Sequence, residues 1–215
     1  LITMEFLFNY VRRVSLPVQV GAVGLGGDNP IRLQSMTNTD TMDTQACIEQ
    51  TKRIVDAGGE IVRLTTQGLR EAKNLKEINI GLRREGINTP LVADVHFNAN
   101  VADVAALYAE KVRINPGNYI DPARKFKQID YTEEEYAEEL TKIEERLGSF
   151  LDICKENHTA IRIGVNHGSL SDRIMSRYGN TPAGIVESCM EFLRICVKHK
   201  FYQVVISVKS SNTVV

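Results

Sequence analysis

The sequence has almost no net charge, and its first residues resemble neither a membrane span nor a secretion signal. Its 26 basic and 27 acidic residues give a formal net charge of −1, so no basic surplus is available to attract nucleic acid or an anionic membrane surface. The opening LITMEFLFNY is too short and too polar to cross a membrane, and it lacks the basic start and small-residue cleavage site of a signal peptide. We therefore expect a cytoplasmic protein without a membrane or nucleic-acid partner.

Cysteine pairs of the C-x-x-C kind are also missing. Of the 4 cysteines, Cys189 and Cys196 are the nearest in sequence, but in a helix they would lie about 10 Å apart, too far for a disulfide. This usage favours buried, small apolar side chains over a metal or redox centre. No metal site is therefore predicted in this chain.

The glycine-rich loops that open most nucleotide-binding sheets, G-x-G-x-x-G and the Walker loop, are absent as well. What the chain has is a regular alternation of apolar strands and amphipathic helices, which is typical of βαβ units and a parallel sheet. An open doubly wound sheet and a (β/α)8 barrel both fit this alternation. Because the first strand ends in QSMTNTDT, residues 34–41, rather than in a glycine-rich turn, the barrel is favoured.

The alternation begins after a V-x-V-G-x-V-G-x-G-G segment, residues 18–27, that predicts a glycine-ended hairpin. The predicted strands are residues 32–36, 61–64, 91–95, 111–114, 160–165 and 204–208. The predicted helices run from an Asp43 cap to Gly58, over residues 69–85, from about Asn98, over residues 132–156 with a Thr132/Glu135 capping box, and from a Thr181 cap. In the last helix, Val186, Cys189, Leu193 and Cys196 are predicted to form the buried stripe.

Six strands are fewer than a complete barrel needs. A closed (β/α)8 barrel typically takes about 250 residues, whereas this chain has 215. The sequence therefore predicts a TIM-type (β/α)8 barrel truncated after about six strands. Residues 1–30 form an N-terminal hairpin segment in this division, and residues 31–215 form the partial, substrate-binding barrel.

Four basic side chains, Arg63, Arg113, Arg162 and Lys209, fall toward the carboxyl ends of predicted strands, where parallel barrels place their active sites. A strand covered on both faces has little room for unpaired charge, because a lone buried charge costs several kcal/mol. Asp94 can pair with Arg63 or Arg113, but four cations against one nearby acid favour a bound anion. Arginine binds oxygens in pairs and lysine adds a point charge, which suits a diphosphate.

The turns after these strands support an anion site. Residues 115–118, 166–169 and 210–212 are short and polar, and such loops offer backbone N–H groups to phosphate oxygens. Asp94 and His96 alternate with Val95 and so share one face of a strand. They could orient a substrate hydroxyl or move a proton, or they could form a hydrogen-bonded pair that stiffens the barrel mouth. Both interpretations stay open.

Six motifs occur together in this chain: QSMTNTDT, AGGEIVRLT, PLVADVHF, VRINPGN, IRIGVNHGSL and VVISVKSSN. In this order and spacing they resemble the 4-hydroxy-3-methylbut-2-enyl diphosphate synthases of the methylerythritol phosphate, or non-mevalonate, route to isoprenoids. The resemblance covers nearly the whole chain and is closest to the large, insertion-containing members of that family. It implies an oxidoreductase that adds two electrons to 2-C-methyl-D-erythritol 2,4-cyclodiphosphate, opens its ring and removes water.

The resemblance also implies which residues hold the substrate. The family's substrate-binding positions fall on residues of the same strand ends: Arg63, Asp94, Arg113, Arg162, Asn166 and Lys209, together with Asn115 and Ser35. Among them, the arginines and the lysine hold the diphosphate in the family. We assign Asp94 and His96 as the candidate catalytic residues. The residues chosen from strand position and those chosen from the resemblance nearly coincide.

Other properties of the family concern parts that this sequence lacks. Its members carry a [4Fe–4S] cluster in a separate C-terminal iron-sulfur domain, receive electrons from ferredoxin or flavodoxin, and form homodimers. That domain and its C-x-x-C motif are absent from these 215 residues, so the chain is interpreted as an N-terminal fragment without turnover of its own. The uncovered barrel edges are expected to be shielded by a second copy or by N-terminal residues.

Two other enzyme classes and one non-enzyme class fit the same pattern. Several Schiff-base aldolases place a reactive lysine on the sixth barrel strand, where Lys209 stands. A pterin-binding barrel of the dihydropteroate synthase type would have a similar rim. A phosphate-binding module without chemistry of its own is the third alternative.

Overall fold

The structure, a computed structural model, describes residues 13–120 and 131–212. The predictions for the first ten residues and for residues 213–215 lie outside this part of the chain. Two strands, β1 (Val18–Val20) and β2 (Val23–Leu25), form an antiparallel hairpin. The parallel strands are β3 (Gln34–Met36), β4 (Ile61–Thr66), β5 (Leu91–Val95), β6 (Lys111–Ile114), β7 (Ala160–Asn166) and β8 (Val204–Lys209). The helices are α1 (Thr44–Asp56), α2 (Leu69–Arg84), α3 (Ala99–Ala106), α4 (Glu133–Glu156), α5 (Asp172–Tyr178) and α6 (Pro182–Lys198).

The six parallel strands keep their chain order, β3 to β8, across one sheet. This sheet is curled, because Nζ of Lys111 on β6 lies 3.4 Å from Oε1 of Gln34 on β3. In a flat sheet, strands three places apart would be separated by about 14 Å. The predicted parallel α/β architecture with an N-terminal hairpin is confirmed, and the sheet forms a half-barrel with an inner face.

The helix ends were predictable because a capping residue bonds to backbone N–H groups only a few positions away in the sequence. Asp43 caps α1 through the N–H of Ala46, and Gly58 follows that helix with a positive φ of 94°. Thr132 and Glu135 form the predicted capping box of α4, and Thr181 caps α6 through the N–H of Gly184. Within the described residues, none of the helices is long and apolar enough to cross a membrane.

Strand β3 is shorter than predicted, and α5 was not predicted. Leu33 and Arg32 precede β3 and bond to the Glu60 carboxylate, the former through its N–H at 2.8 Å and the latter through its guanidinium at 2.7 Å. The Glu60 side chain therefore takes the N–H of Leu33, while the Leu33 carbonyl still accepts from the N–H groups of Glu60 and Ile61. Helix α5 begins at a Ser171 cap and has 7 residues, too few to show a helical period in the sequence.

The core lies between the outer face of the sheet and the helices. Tyr119 contacts the fully buried rings of Phe150 on α4 and Phe192 on α6, with ring centroids 6.2 and 5.7 Å apart. The stripe predicted for α6 is wrong at Val186, which is 58% exposed. Cys189 and Cys196 are buried as predicted. Because α6 packs against α4, α5 and β7, the rest of its buried face consists of Ile185, Phe192 and Ile195.

The β1–β2 hairpin covers the amino ends of the parallel strands. Val18 and Val20 form a small buried cluster with Ala160 at the start of β7, and Val205 of β8 packs against it. The N–H of Gln19 donates to Oε1 of Gln203 at 2.8 Å, just before β8. The inner face of the half-barrel therefore opens toward the carboxyl ends of the strands.

A buried ion pair and a tyrosine hydroxyl bonded to it join three helices outside the barrel. Arg173 of α5 and Glu191 of α6 have side chains only 4% and 2% exposed, and two guanidinium nitrogens contact the carboxylate. Tyr136 of α4 donates its hydroxyl to the same carboxylate, and its ring lies 4.7 Å from the Arg173 guanidinium carbon. Removing one charge would leave the other buried without its counterion.

We predict that Glu191→Gln lowers the free energy of unfolding by about 3 kcal/mol, because the Arg173 charge stays buried without a carboxylate. Glu187→Gln is the matched control: it removes a carboxylate of the same helix from the exposed Arg194, at a cost below about 1 kcal/mol. Urea unfolding of both variants measures the difference. Equal losses would show that the buried pair contributes no more than the exposed one.

Candidate functional site on the inner face of the half-barrel

Three charged residues are direct neighbours across the inner face. Asp94 of β5 is the register partner of Arg113 on β6, and Arg113 is the register partner of Arg162 on β7. Register partners on adjacent strands point to the same face, with their Cβ atoms roughly 5 Å apart. The fold therefore brings together charges that lie 68 positions apart in the sequence, 94 to 162.

Asp94 is the acid of this group, and two arginines share it. Its Oδ1 lies 3.1 Å from Nη1 of Arg113, and its Oδ2 lies 3.4 Å from Nε of Arg63 on β4. Asp94 is 3% exposed and Arg113 is 6% exposed. The pairing expected for Asp94 is thus formed with both arginines at once, and neither arginine has a carboxylate to itself.

Arg162 lies beside this group, and its side-chain hydrogen bond is to a neutral hydroxyl. Its Nε donates to Oγ of Ser207 at 2.8 Å, and within the described chain no carboxylate lies within 4.0 Å of it. Burial is the first cause that lowers the pKa of Arg162, followed by the charges of Arg63 and Arg113, while Asp94 opposes them. A guanidinium in this position would be stabilised by an additional anion.

Gly164 makes room for the central arginine. Nη2 of Arg113 donates to the carbonyl oxygen of Gly164 at 3.0 Å, and a Cβ at Gly164 would overlap Nε of Arg113. The backbone of β7 is therefore close enough to hold the guanidinium only because this residue has no side chain.

Two of the predicted polar loops are bound to each other. Asn115 follows β6, and its Nδ2 donates to Oγ of Ser169 at 2.9 Å while its Oδ1 accepts from the N–H of Gly117. A Cβ at Gly117 would overlap the Ser169 carbonyl. Asn115 is buried. Both ends of its amide are bonded within the protein, and they hold the two loops of the rim together.

The mouth of the half-barrel is lined by Asn166 and Lys209, which are register partners on β7 and β8. Asn166 is half-buried and Lys209 is exposed. Both therefore lie on the same face as Arg162, closer to the carboxyl ends of the strands. His167 starts the turn after Asn166.

His96 lies near Asp94 but is not bonded to it. Its Nε2 is 4.0 Å from Oδ2 of Asp94, beyond hydrogen-bond distance, because the carboxylate oxygens face Arg63 and Arg113. Nδ1 of His96 is buried and has no hydrogen-bond partner among the described residues. The Asp–His hydrogen bond considered from the sequence is thus not formed. The imidazole nitrogens are not bonded to Asp94 and can bond to another group.

Ser35 lies apart from the other predicted site residues. Its register partner is Val62, whose side chain belongs to the helix-facing core. Ser35 accordingly lines a surface cleft with Gln50, Arg53 and Ile54 of α1. The structure does not place it on the inner face with the arginines.

Lys111 is on the inner face but was missed from the sequence. It stands two residues before Arg113 in β6, is 2% exposed, and lies 3.4 Å from Oε1 of Gln34. Burial, followed by the charges of Arg162 and Arg63, lowers its pKa to about 8. The alternation of strand faces could have revealed it, but only residues near the carboxyl ends of strands were considered.

The cysteines do not fit an iron–sulfur cluster. All four thiols are free and buried, on α1, α4 and α6, and burial raises the pKa of Cys196 to about 12 and that of Cys47 and Cys189 above the ordinary value. A cluster ligand must be a thiolate. Over the described ranges, no three Cys, His, Asp or Glu side chains come together as metal ligands.

Comparison with known proteins identifies relatives of this site. The chain matches the family of the GcpE TIM-barrel domain over residues 15–215. It is 74% identical over 209 residues to the 4-hydroxy-3-methylbut-2-en-1-yl diphosphate synthase (flavodoxin) of Phocaeicola vulgatus, covering 97% of this chain and 34% of that protein. The protein of the same name from Protochlamydia amoebophila is 50% identical over 208 residues, covering 97% and 32%. The chain thus spans about a third of the length of the curated relatives it matches.

A solved structure agrees with this fold. The truncated 3-deoxy-D-arabino-heptulosonate 7-phosphate synthase of Thermotoga maritima has a TM-score of 0.55 at 11% identity, covering 92% of this chain and 59% of that one. At that identity the likeness concerns the fold alone. The family resemblance and the TIM-barrel class predicted from the sequence are both confirmed.

We predict that Gly164→Ala lowers the free energy of unfolding by about 1–3 kcal/mol, because the new methyl group displaces the Arg113 guanidinium. Gly168→Ala in the following turn is the control, since a Cβ there would meet no atom within 4 Å. Urea denaturation measures both. If the cost of Gly164→Ala were unchanged in an Arg113→Ala background, the clash would not be its cause.

Proposed function

The chain belongs to the GcpE family, and on that basis we propose that its inner face binds the diphosphate of 2-C-methyl-D-erythritol 2,4-cyclodiphosphate. The observation that carries this proposal is the sharing of one carboxylate, Asp94, by Arg63 and Arg113, with Arg162 beside them. A diphosphate supplies the negative charge that this group lacks. Lys209 and Asn166 at the mouth are proposed to complete the binding site.

The electrostatics favour the product side of the proposed reaction. In that reaction the substrate accepts two electrons, its ring opens and water leaves, giving 4-hydroxy-3-methylbut-2-enyl diphosphate. Ring opening breaks one C–O bond, and the ester oxygen that joined this carbon to phosphorus becomes a terminal phosphate oxygen, so the negative charge on the diphosphate increases. Fixed guanidinium groups stabilise charge that develops during a reaction more than charge already present, and this differential binding accelerates the step.

Asp94 and His96 are proposed to have different tasks. Both Asp94 oxygens face arginines, so this carboxylate orients the two guanidinium groups toward the diphosphate. His96 has a buried Nδ1 without a partner among the described residues and a side chain 34% exposed. We assign it the proton that the departing hydroxyl needs to leave as water.

The electrons come from outside this chain. In the family, a [4Fe–4S] cluster supplies them, and the buried cysteines described above do not fit such a cluster. We therefore propose that residues 31–215 are the substrate-binding barrel, with residues 1–30 as its N-terminal segment, and that the iron-sulfur domain belongs to the longer protein. Flavodoxin or ferredoxin is the proposed electron donor, and a cytoplasmic homodimer is the proposed assembly. Neither a Schiff-base aldolase nor a pterin-binding activity is favoured by any observation here.

Binding of the cyclodiphosphate can be measured directly by calorimetry. We predict that Arg162→Gln weakens it about 10- to 100-fold, since a charge-assisted contact contributes roughly 1.5–3 kcal/mol. Arg194→Gln on the outer surface of α6 is the matched control and leaves the affinity unchanged. Binding that survives Arg113→Ala and Arg162→Ala together would contradict the proposed site.

A second prediction concerns turnover. Because the described cysteines are buried and dispersed, anaerobic incubation of this chain with iron and sulfide is expected to give no [4Fe–4S] absorption and no reduction of the cyclodiphosphate by flavodoxin. Visible absorption and product analysis check this. A brown, active preparation would show that the chain holds the cluster itself.

A further inference from the structure

Lys111 is a buried cation for which the proposed reaction has no assigned task. On the inner face it is flanked by its register partners, Val92 on β5 and Ala160 on β7, which are both fully buried and apolar. Toward the amino ends of the strands lies the hairpin, whose Val18 and Val20 pack on Ala160. The neighbours of Lys111 on these three sides are therefore apolar side chains.

The remaining direction leads up the barrel toward the arginines. Oε1 of Gln34 on β3 accepts from Nζ at 3.4 Å, which is a long hydrogen bond. No carboxylate of the described residues lies within 4.0 Å of the ammonium, because Asp94 faces Arg63 and Arg113. The charged groups that act on it are Arg63 from β4 and Arg162 from β7, and both are positive.

A lysine in this place does not serve stability. Its charge is removed from water and repelled by two guanidinium groups, so an apolar side chain of similar length would suit the folded chain better. An anion that enters from the mouth and binds the ammonium would compensate for the unfavourable burial of this charge. Successive inward-facing residues of a strand stand about 6.6 Å apart, which puts Lys111 one level below Arg113.

We propose that Lys111 is an additional substrate-binding residue, whose ammonium donates to the diphosphate oxygen that reaches deepest into the barrel. The arginines then hold the outer oxygens of the same ligand. This inference rests on the proposed function, since it assumes that a diphosphate occupies the inner face.

The ionisation of Lys111 gives the proposal a pH dependence. In the free protein its pKa is lowered to about 8 by burial and by Arg162 and Arg63, so the ammonium is present at pH 7 and is lost above pH 8. A bound diphosphate favours the protonated form. Affinity carried by Lys111 must therefore fall as the pH rises from 7 to 9.5, with a proton taken up on binding at the higher pH.

The test measures cyclodiphosphate binding and thermal unfolding of the 215-residue chain and of its Lys111→Met variant. At pH 7 the variant is expected to bind at least about tenfold more weakly, as loss of one charge-assisted contact implies. Its Tm is expected to rise by about 5 °C, because at pH 7 the lysine is charged in the folded and the unfolded chain and the whole burial penalty is present. Lys73→Met on the exposed side of α2 is the control and changes neither quantity.

Lys111→Arg and the pH profile distinguish binding from packing. Arginine keeps its charge at pH 9.5, so this variant should retain binding at pH 7 and lose less of it by pH 9.5 than the wild type does. In the wild type, affinity should fall about tenfold more over this range than in Lys111→Met. This wild-type profile still tests the proposal if a variant does not fold.

The outcomes separate the two proposals. Wild-type binding that Lys111→Met leaves unchanged at pH 7, or a wild-type profile flat between pH 7 and 9.5, would overturn the role of Lys111 and leave the proposed function standing. Failure of the wild type to bind the cyclodiphosphate at all would overturn both.

Discussion

The shared carboxylate of Asp94 is the contact on which the rest of the inner face depends. One buried acid holds Arg63 and Arg113 in place, and Arg162 stands next to them without a carboxylate within 4.0 Å among the described residues. If each arginine had its own acid, the group would be neutral and would have little affinity for an anion. With one acid for several cations, the arginines are oriented in advance and still carry unbalanced positive charge. The shared carboxylate therefore fixes the positions of the arginines and leaves them with a net positive charge that attracts an anion.

The surrounding fold positions the arginines through close backbone contacts and through a fixed rim. Gly164 lets β7 approach the Arg113 guanidinium, and Asn115 fixes the rim through Ser169. The hairpin covers the amino ends of the strands, so the inner face is reached from the carboxyl side. Charges in such an enclosed space interact more strongly than at the surface, both with one another and with a ligand.

Local chemistry explains which predictions from the sequence were confirmed. The caps at Asp43, Thr132 and Thr181 depend on residues a few positions away, and the strands depend on runs of apolar residues, so both are visible in the sequence. The grouping of Arg63, Arg113 and Arg162 was inferred from one rule about barrel strands, and the structure does bring these three residues together. Their partnership through Asp94 follows from strand register, which the sequence does not specify.

The differences between the expected and the observed positions also follow from register and packing. Ser35 and Met36 are adjacent, and which of them faces inward depends on the pairing of β3 with β4; a shift of one residue exchanges the two faces. Val186 is exposed because the neighbours of α6, and not its own periodicity alone, set the direction of the buried stripe. Lys111 was missed because the search was limited to the carboxyl ends of the strands, and its burial at the other end depends on tertiary packing that the sequence does not show.

Unbalanced buried charge also links stability to ligand binding. Like charges on the inner face repel one another in the free protein, and this repulsion reduces the small free energy that keeps the domain folded. A ligand that neutralises them removes this repulsion on binding and stabilises the native state by an amount that grows with the logarithm of the ratio of its concentration to its Kd. The cations occupy two levels, Lys111 and Arg113, about 6.6 Å apart along β6. In the proposed binding mode these two levels meet different phosphoryl groups of one diphosphate, so a single phosphate, which would reach only one level, is expected to bind more weakly.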